Sequence, residues 1–215
     1  MPRQTGEQKE ERKQEIINAC ERVYKEKGFY GVTIKEISTE TSFTRPAIYT
    51  YFETKDEILL ALLDREYEAW VSDLEKIRSI KVSLTRTQLA EELAHSLEER
   101  EVLLRIQNMN LYEIELNSRV ERLAEFKSLY GQAVETLGAI LKNQMPGTTD
   151  EECEKIILTF GAFLFGVYPF VFHTEKQLEA MEQAGVVQSE VSVYQMVYEC
   201  LIRVLPVKPV EPQAK

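Results

Sequence analysis

A cluster of hydroxyl, guanidinium and phenol side chains lies in the first quarter of the sequence. Thr44, Arg45 and Tyr49 fall on one short segment that is predicted to be helical. An arginine on such a helix can form a bidentate pair with guanine O6 and N7, or it can grip a phosphate. A good bidentate contact discriminates between bases by about 1 to 3 kcal/mol. These residue types indicate contact with nucleic acid, and they leave open whether Arg45 contacts a base or a phosphate.

The sequence lacks the residue patterns of an enzyme. Its two histidines, His95 and His173, lie in separate helical regions and cannot form an HExxH zinc site or a local catalytic pair. Nucleophile-elbow, Walker and dinucleotide patterns are absent. Cys20, Cys153 and Cys200 are far apart in the chain, have no zinc-site spacing, and are expected to pack as small buried apolar groups. The chain is therefore predicted to have no enzymatic activity, bound metal or cofactor.

The elements that would position Arg45 are two short helices after a longer one. Apolar residues with helical spacing predict a first helix over residues 7 to 27, which ends at Gly28. A second helix is predicted over residues 33 to 39, with a capping box between Thr33 and Glu36.

A third short helix and a long fourth helix complete this predicted unit. After a polar turn at residues 40 to 43, the third helix runs over residues 44 to 51, with Thr44 as its cap and Pro46 in its first turn. A capping box over residues 54 to 57 begins the fourth helix. Two short helices joined by a tight turn form a helix-turn-helix, in which the second helix enters the DNA major groove.

Burial of the isoleucines decides which side of this motif faces outward. Ile34, Ile37 and Ile48 are expected to pack against the first helix, which leaves Arg45, Tyr49 and Thr50 at or near the opposite surface.

Charge is distributed unevenly along the chain. The net charge of −10 argues against a protein that coats nucleic acid by bulk electrostatics. However, residues 1 to 55 hold 10 Lys and Arg against 9 Asp and Glu, whereas the remainder holds 16 against 27. The N-terminal quarter alone lacks an acidic excess, which permits local contact with DNA.

Helical periodicity continues after residue 83 without a competing strand pattern. Further helices are predicted over residues 85–99, 102–115, 118–144, 150–171 and 189–205, which gives an all-α fold of about nine helices. We therefore predict a DNA-binding domain over residues 8–54, a helical effector-binding and dimerisation domain over residues 55–205, and a loose tail over residues 206–215.

One apolar stretch raises the question of a membrane span. Residues 156 to 172 carry no charge, but the stretch is marginal in length and contains Gly161, Gly166 and Pro169. A helix buried in a bundle is favoured over a span. Because the first fifteen residues are densely charged, no signal peptide is predicted and a cytoplasmic location is expected.

Two segments resemble the N-terminal signature of the TetR family of transcriptional regulators. They are GFYGVTIKEI at residues 28–37 and TRPAIYTYFETKDEIL at residues 44–59, and the resemblance covers about residues 10 to 60. It implies that the DNA-contacting set includes the positions Thr33, Thr44, Arg45, Tyr49, Tyr51 and Lys55. Together with Thr50, which is expected at the surface, these are the candidate DNA-binding residues.

Several of these residues also have structural interpretations. Thr33 and Thr44 would cap helices in the absence of DNA. The phenol of Tyr49 can pack or bind phosphate. Lys55 can be an ordinary solvated lysine, although its position near the positive end of the fourth helix suggests that an anion is expected there.

The family resemblance further implies a homodimer formed by the last two long helices. Wide apolar arcs on these helices indicate burial on more than one side, which serves an intramolecular core, a dimer interface or both. The candidate interface residues are Phe160, Leu164, Val167, Val193, Met196, Val197, Cys200, Leu201 and Val204.

A small, hydrophobic effector is expected to bind among the C-terminal helices, because apolar pockets commonly form between bundle helices. For each single candidate an ordinary core position is favoured over ligand binding, and for Glu113 a solvated or salt-bridge role is favoured. The candidate lining residues are Trp70, Met109, Tyr112, Glu113, Phe126, Tyr130, Phe160 and Phe163.

The resulting hypothesis is a homodimeric repressor that binds a palindromic operator in double-stranded DNA and is released by its effector. An activator is equally compatible with these residues. An architectural DNA-binding protein and a helical small-molecule binder without a DNA role are the alternatives from other classes. Neither a membrane nor a metal is expected as a partner.

Overall fold

The computed structural model describes residues 6–187 and 189–207, and all regular secondary structure in these ranges is helical. The predicted all-α fold is confirmed. The helices are α1 (Gly6–Gly31), α2 (Ile34–Thr39), α3 (Arg45–Ile48), α4 (Lys55–Arg78), α5 (Arg86–Glu98), α6 (Glu101–Met109), α7 (Leu111–Leu116), α8 (Val120–Gln144), α9 (Asp150–Leu164), α10 (Tyr168–Val171), α11 (Glu175–Gln183) and α12 (Val193–Val204).

The helices form two compact units. The first contains the described residues up to Glu68 together with Met109–Tyr130, and the second contains Ala69–Asn108 together with the described residues from Gly131 onward.

Glycines shape the end of α1. Gly28 has a φ of 68°, a conformation that side chains with a Cβ rarely adopt, so the predicted helix stop is present as a kink within α1. Three residues later, a Cβ at Gly31 would overlap the Cβ of Lys27. Both glycines are therefore required for the chain to turn from α1 into α2.

The capping box predicted at α2 forms only in part. The Thr33 hydroxyl accepts a hydrogen bond from the backbone N–H of Glu36 at 3.1 Å. The Glu36 carboxylate does not complete the reciprocal bond, because it forms an ion pair with Lys27. Thr33 is thus a helix cap, as predicted, and Glu36 instead ties α2 to α1.

The side chain of Thr44 does not cap α3, contrary to the prediction. Thr44 occupies the N-cap position, but its hydroxyl forms no capping hydrogen bond. Pro46 has no N–H to donate, and the N–H of Ala47 bonds to the Thr44 backbone carbonyl at 2.9 Å. The α-helix is also shorter than predicted, and tighter turns continue it to Tyr51, whose N–H bonds to the Ile48 carbonyl at 2.9 Å.

The capping box at α4 is modified in a similar way. Thr54 accepts from the N–H of Glu57 at 3.1 Å, as predicted. The Glu57 carboxylate reaches one residue further back than the motif requires, and accepts from the N–H of Glu53 at 2.9 Å.

Side-chain contacts explain two helix breaks that periodicity missed. The predicted helix over residues 102–115 divides at Asn110, whose side-chain oxygen accepts from the Tyr24 hydroxyl at 2.9 Å. The predicted helix over residues 150–171 divides between α9 and α10, where Asn108 donates to the Leu164 carbonyl at 2.8 Å and accepts from the N–H of Tyr168 at 3.1 Å. The two Asn108 bonds satisfy backbone groups exposed by the break between α9 and α10.

The C-terminal helices also differ from the prediction in number and in starting point. The short helix α11 was not predicted. It starts with a capping box between Thr174 and Gln177, and none of its residues is buried. The last helix begins at Val193 with Ser192 as its cap, rather than near Ser189. Of the predicted tail, residues 208–215 lie outside the described residues.

The second unit is built around α12, which packs along α5 and against α9. Val193, Val197 and Leu201 form the buried stripe of α12. Gln144 is buried at the end of α8, where it accepts from the N–H of Leu84 at 2.8 Å and donates to the Ile80 carbonyl at 3.1 Å.

The charge-free stretch at residues 156–172 belongs to α9, α10 and the turn between them. No helix in the described ranges is long and apolar enough to cross a membrane. Cys20 and Cys153 are buried, as predicted, and Cys200 is half-buried.

Candidate nucleic-acid interface

Apolar side chains of the first unit pack against the inner side of the helix-turn-helix. Ile37 of α2 and Ile48 of α3 are fully buried, together with Ile16 and Cys20 of α1. Ile34 is only half-buried, although burial was predicted. Because Ile48 fixes one side of α3 in the core, the opposite side must face outward.

The outward side of α3 carries most of the predicted DNA-binding residues. The side chains of Thr44, Arg45 and Thr50 are exposed, and that of Tyr49 is 54% exposed. Among the described residues, no carboxylate lies within 4.0 Å of the Arg45 guanidinium. This guanidinium is therefore available to a base edge or a phosphate.

The hydroxyls on this surface differ in how they are used. The Thr50 hydroxyl donates to the Ala47 carbonyl at 2.7 Å, so it keeps acceptor capacity for a ligand. The Thr44 hydroxyl is not used in capping. Thr33 is exposed and caps α2. Tyr51 is half-buried and turns toward the side of the motif formed by α1 and α8.

Lys55 lies in a different environment from the other candidates. Its Nζ is 3.0 Å from the carboxylate of Asp56 and 3.8 Å from the ring centroid of Phe29. The side chain is 30% exposed. The anion expected near Lys55 is therefore supplied in part by the neighbouring Asp56, and a DNA phosphate would have to share this lysine with it.

Bonds from α1 fix the turn between α2 and α3. Arg22 donates to the Glu40 backbone carbonyl at 2.8 Å and contacts the Glu40 carboxylate at 3.3 Å. The Glu15 carboxylate accepts from the N–H of Ser42 at 2.7 Å. Local sequence patterns could not predict these pairs, since their members are 18 and 27 positions apart in the chain.

Segment 117–119, between α7 and α8, bonds directly to the start of α4. Arg119 forms a bidentate pair with Glu57, with distances of 2.5 Å and 2.9 Å, and also contacts Glu53 at 2.9 Å. The Thr54 hydroxyl donates to the Asn117 carbonyl at 3.2 Å. Periodicity could not predict these contacts, because the partners are more than sixty positions apart.

The Glu57 carboxylate is fully buried beside Arg119. Burial would raise the pKa of Glu57, but hydrogen bonds from the Arg119 guanidinium and from the N–H groups of Glu53 and Arg119 hold the pKa below its usual range. Glu57 is therefore ionised, and the pair fixes segment 117–119 to the first turn of α4.

Comparison with known protein families decides the identity of this fold. Residues 16–62 match the model of bacterial regulatory proteins of the tetR family. Residues 64–203 match the model of the tetracyclin repressor-like C-terminal domain. The chain belongs to the TetR family.

Individual TetR-family proteins show where the similarity lies. The uncharacterized HTH-type transcriptional regulator YfiR of Bacillus subtilis is 32% identical over 75 residues, which is 35% of this chain and 37% of that regulator. The match thus spans little more than a third of the relative.

Solved TetR-family structures extend the likeness to most of the chain. A TetR/AcrR regulator from Thermobifida fusca has a TM-score of 0.60 at 17% identity, covering 91% of this chain and 97% of that one. FadR from Bacillus subtilis, in complex with stearoyl-CoA, has a TM-score of 0.58 at 14% identity, covering 89% and 97%. At these identities the likeness shows a shared fold.

The predicted effector-binding residues of this TetR-family chain fall in both units. Met109, Tyr112, Glu113, Phe126 and Tyr130 belong to the first, and the remaining three to the second. Met109 and Tyr112 are 58% and 77% exposed, and Glu113 is exposed. Phe126 is buried edge-on against Tyr67, with a centroid distance of 5.4 Å, and so is a core residue of the first unit.

The three effector candidates of the second unit are more enclosed. Trp70 and Phe160 are buried, and Phe163 is half-buried. The indole N–H of Trp70 donates to the Ser96 hydroxyl at 3.0 Å.

Most predicted dimer-interface residues are buried within the single chain. Phe160, Leu164, Val167, Val193, Val197 and Leu201 each expose 4% or less of their surface. These side chains pack within the single chain. Met196, Cys200 and Val204 are half-buried and keep some surface. On α9, the prediction missed the most exposed apolar side chain, Leu158, which is 63% exposed.

An unexpected carboxylate lies where α1, α4 and α8 meet in the first unit. One oxygen of Asp64, Oδ1, is buried and has no hydrogen-bond partner among the described residues. Burial raises the pKa of Asp64 to about 7. The charges around it are Lys13 of α1, Glu68 of α4, and Arg122 and Glu125 of α8.

Proposed function

We propose that this protein is a sequence-specific DNA-binding transcriptional regulator that acts as a homodimeric repressor on a palindromic operator. The observation that carries the proposal is the outward face of α3, where Arg45 is exposed without an ion-pair partner among the described residues. Thr33, Thr44, Tyr49, Thr50, Tyr51 and Lys55 complete the proposed DNA-binding set. Its members lie within residues 8–54 except Lys55, the first residue of α4.

The test begins with selection of bound sites from random duplex DNA. Affinity for the selected operator is then measured by fluorescence anisotropy for the protein, for Arg45→Ala and for Tyr49→Phe. Loss of a bidentate base contact is expected to weaken binding by about 5- to 150-fold for each half-site, the equivalent of about 1 to 3 kcal/mol, and Arg45→Ala removes it from both half-sites of the proposed dimer.

Arg78→Ala is the matched control, because Arg78 is an exposed arginine that pairs locally with Glu75 in α4. It should leave operator affinity unchanged. Unchanged affinity in both test variants would show that the assigned surface is wrong. Equal affinity for operator and random duplex at fixed salt would indicate an architectural DNA-binding protein, and negligible affinity for both would favour a small-molecule binder.

The homodimer is proposed to form through the outer faces of α9 and α12 in the second unit. Leu158 and Phe165 are exposed apolar side chains in and just after α9, and Met196, Cys200 and Val204 continue along α12. A dimer is required to place two recognition helices about 34 to 36 Å apart on successive major grooves.

Light scattering coupled to size exclusion tests the dimer. Leu158→Lys should yield monomer, whereas Leu178→Lys, an exposed leucine on α11, should not. A dimer that tolerates Leu158→Lys would rule out the α9 face.

The repressor is proposed to release DNA when a small hydrophobic effector binds to residues 55–205. The proposed site lies in the second unit, where Trp70 and Phe160 are buried and Phe163 is half-buried. The structurally similar FadR is described in complex with stearoyl-CoA, which supports an apolar chemistry. Coupling of about 1 to 3 kcal/mol would suffice for a switch.

A reporter gene placed behind the selected operator in the cytoplasm, where the protein is proposed to act, separates repression from activation. Expression should rise when the regulator is deleted. A fall in expression would identify an activator.

A further inference from the structure

A polar groove of about 470 Å³ lies in the first unit beside the recognition helix. Its walls come from the first turns of α1, from segment 49–53 that follows α3, and from the start of α8. The charged residues that line it are the cations Lys9, Lys13, Arg119 and Arg122 and the carboxylates Glu10 and Glu53. The groove thus has a cationic excess in a protein whose net charge is −10.

The two arginines of the groove already have partners. Arg119 is bonded to Glu53 and Glu57, and Arg122 pairs with Glu125 at 2.7 Å. Their positive charge is largely balanced, and they serve as the wall of the groove rather than as its binding groups.

The two lysines are in a different position. Lys9 and Lys13 are four residues apart on α1, so they share one face of the helix. Among the described residues, no carboxylate lies within 4.0 Å of either ammonium group. Two neighbouring ammonium groups without such a partner favour an anionic ligand.

The position of the groove indicates which anion reaches it. Tyr49 and Thr50 line the groove and also lie on the exposed side of α3. A duplex that contacts these two residues therefore brings its sugar-phosphate backbone to the mouth of the groove. We propose that Lys9 and Lys13 form a phosphate clamp that binds the DNA backbone and reads no sequence. This inference rests on the proposed function.

A phosphate clamp changes the salt dependence of binding and leaves specificity intact. Each lysine–phosphate contact contributes about 0.9 to the slope of log affinity against log salt. Both protomers of the proposed dimer carry the two substitutions, so four contacts are lost on each operator. The slope should therefore fall by about 3.6, and wild type should lose about 150-fold more affinity than the variant between 50 and 200 mM salt. The ratio of operator to random-duplex affinity should not change.

The experiment compares wild type, Lys9→Gln and the double variant Lys9→Gln/Lys13→Gln on the selected operator and on a random duplex. The control is Lys25→Gln/Lys176→Gln, which makes the same change in net charge. Lys25 lies twelve residues after Lys13 on α1 and pairs with Glu21, and Lys176 is on the exposed helix α11. The single variant Lys9→Gln guards against folding effects, because Lys13 also acts on the buried Asp64.

The outcomes separate this inference from the proposed function. A slope reduced by about 1.8 in the single and about 3.6 in the double variant, with unchanged specificity and an unaffected control, supports the clamp. If wild type binds its operator specifically and the variants keep the wild-type slope, the clamp alone is overturned, and the same holds if affinity is lost for the operator but not for the random duplex. Absence of specific binding by wild type overturns the proposed function.

Discussion

Replacement of Asp64 by asparagine is expected to stabilise the protein at and above neutral pH. Asp64 lies where α1, α4 and α8 meet, with Oδ1 buried and no hydrogen-bond partner for it among the described residues. Burial raises the pKa of the carboxyl from its ordinary value of 3.8 to about 7. An ionised carboxylate without a partner is costly in such surroundings, and a neutral amide of nearly the same shape removes that charge.

The sign and the pH window follow from the two pKa values. Below about pH 4 the carboxyl is protonated in both the folded and the unfolded protein, so its ionisation does not affect stability. Between pH 4 and 7 the unfolded chain releases the proton and the folded protein retains it, so the free energy of unfolding falls as the pH rises. Above pH 7 the carboxyl is ionised in both the folded and the unfolded protein, and the loss of unfolding free energy stays constant.

The size of the effect follows from the same two values. Each pKa unit corresponds to about 1.4 kcal/mol. The rise from 3.8 to about 7 therefore limits the loss of unfolding free energy caused by ionised Asp64 to about 4 kcal/mol. Relaxation and partial solvent access around Asp64 reduce this, so a gain of about 1 to 3 kcal/mol for Asp64→Asn at pH 8 is expected. In a chain of this length, that corresponds to a rise of about 2 to 12 °C in Tm.

The assay is urea unfolding followed by far-UV circular dichroism at pH 4, 5, 6, 7 and 8. One protein concentration is used throughout, because the stability of the proposed dimer would depend on concentration. The stability difference between Asp64→Asn and wild type should grow from pH 4 to 7 and then level off. Asp150→Asn is a control of opposite sign, because the Lys142 ion pair lowers the pKa of Asp150. A pH-independent difference, or an Asp64→Asn variant less stable than wild type at pH 8, would refute the reasoning.

Three further predictions concern other buried or capping groups. Glu57→Gln should lower the free energy of unfolding by about 2 to 3 kcal/mol in urea titrations at pH 7, because an amide cannot accept both N–H groups of Arg119; an effect below 0.5 kcal/mol would contradict this. Thr33→Ala should cost about 1 kcal/mol through the lost cap, whereas Thr44→Ala should leave stability unchanged and weaken operator binding; equal stability losses would contradict the capping assignment. Cys20 should react with a thiol reagent only after unfolding, since burial strongly raises the pKa of its thiol; rapid labelling of Cys20 in native protein, located by peptide mapping, would contradict its burial.

Local sequence was sufficient to predict the helix-turn-helix, since its determinants lie within a few residues of one another. Gly28 stops α1, Thr33 caps α2, and Ile37 and Ile48 have the spacing that buries one side of the motif. The same logic failed for Thr44, where local rules predicted a cap. Pro46, two residues after Thr44, has no N–H to donate, and the Thr44 hydroxyl remains on the exposed surface.

Breaks and interfaces in the C-terminal part were predicted less well, because they depend on distant partners. Asn108 and Asn110 mark breaks that apolar periodicity passes over, since their side chains bond to residues more than fifty positions away. The apolar arcs of α9 and α12 were identified correctly. However, periodicity cannot tell a side chain buried in its own chain, such as Val197, from one left at the surface, such as Leu158.

The sequence by itself determined that this chain is helical, that a helix-turn-helix occupies its first quarter, and that Arg45 faces outward. These features depend on contacts between near neighbours, which the order of residues specifies directly. Only the tertiary structure decided that Glu57 is held by Arg119, that Asp64 is buried with one oxygen unbonded, and that Lys9 and Lys13 share a groove with Tyr49. Each of these depends on which distant segments pack together, and packing is a property of the whole fold.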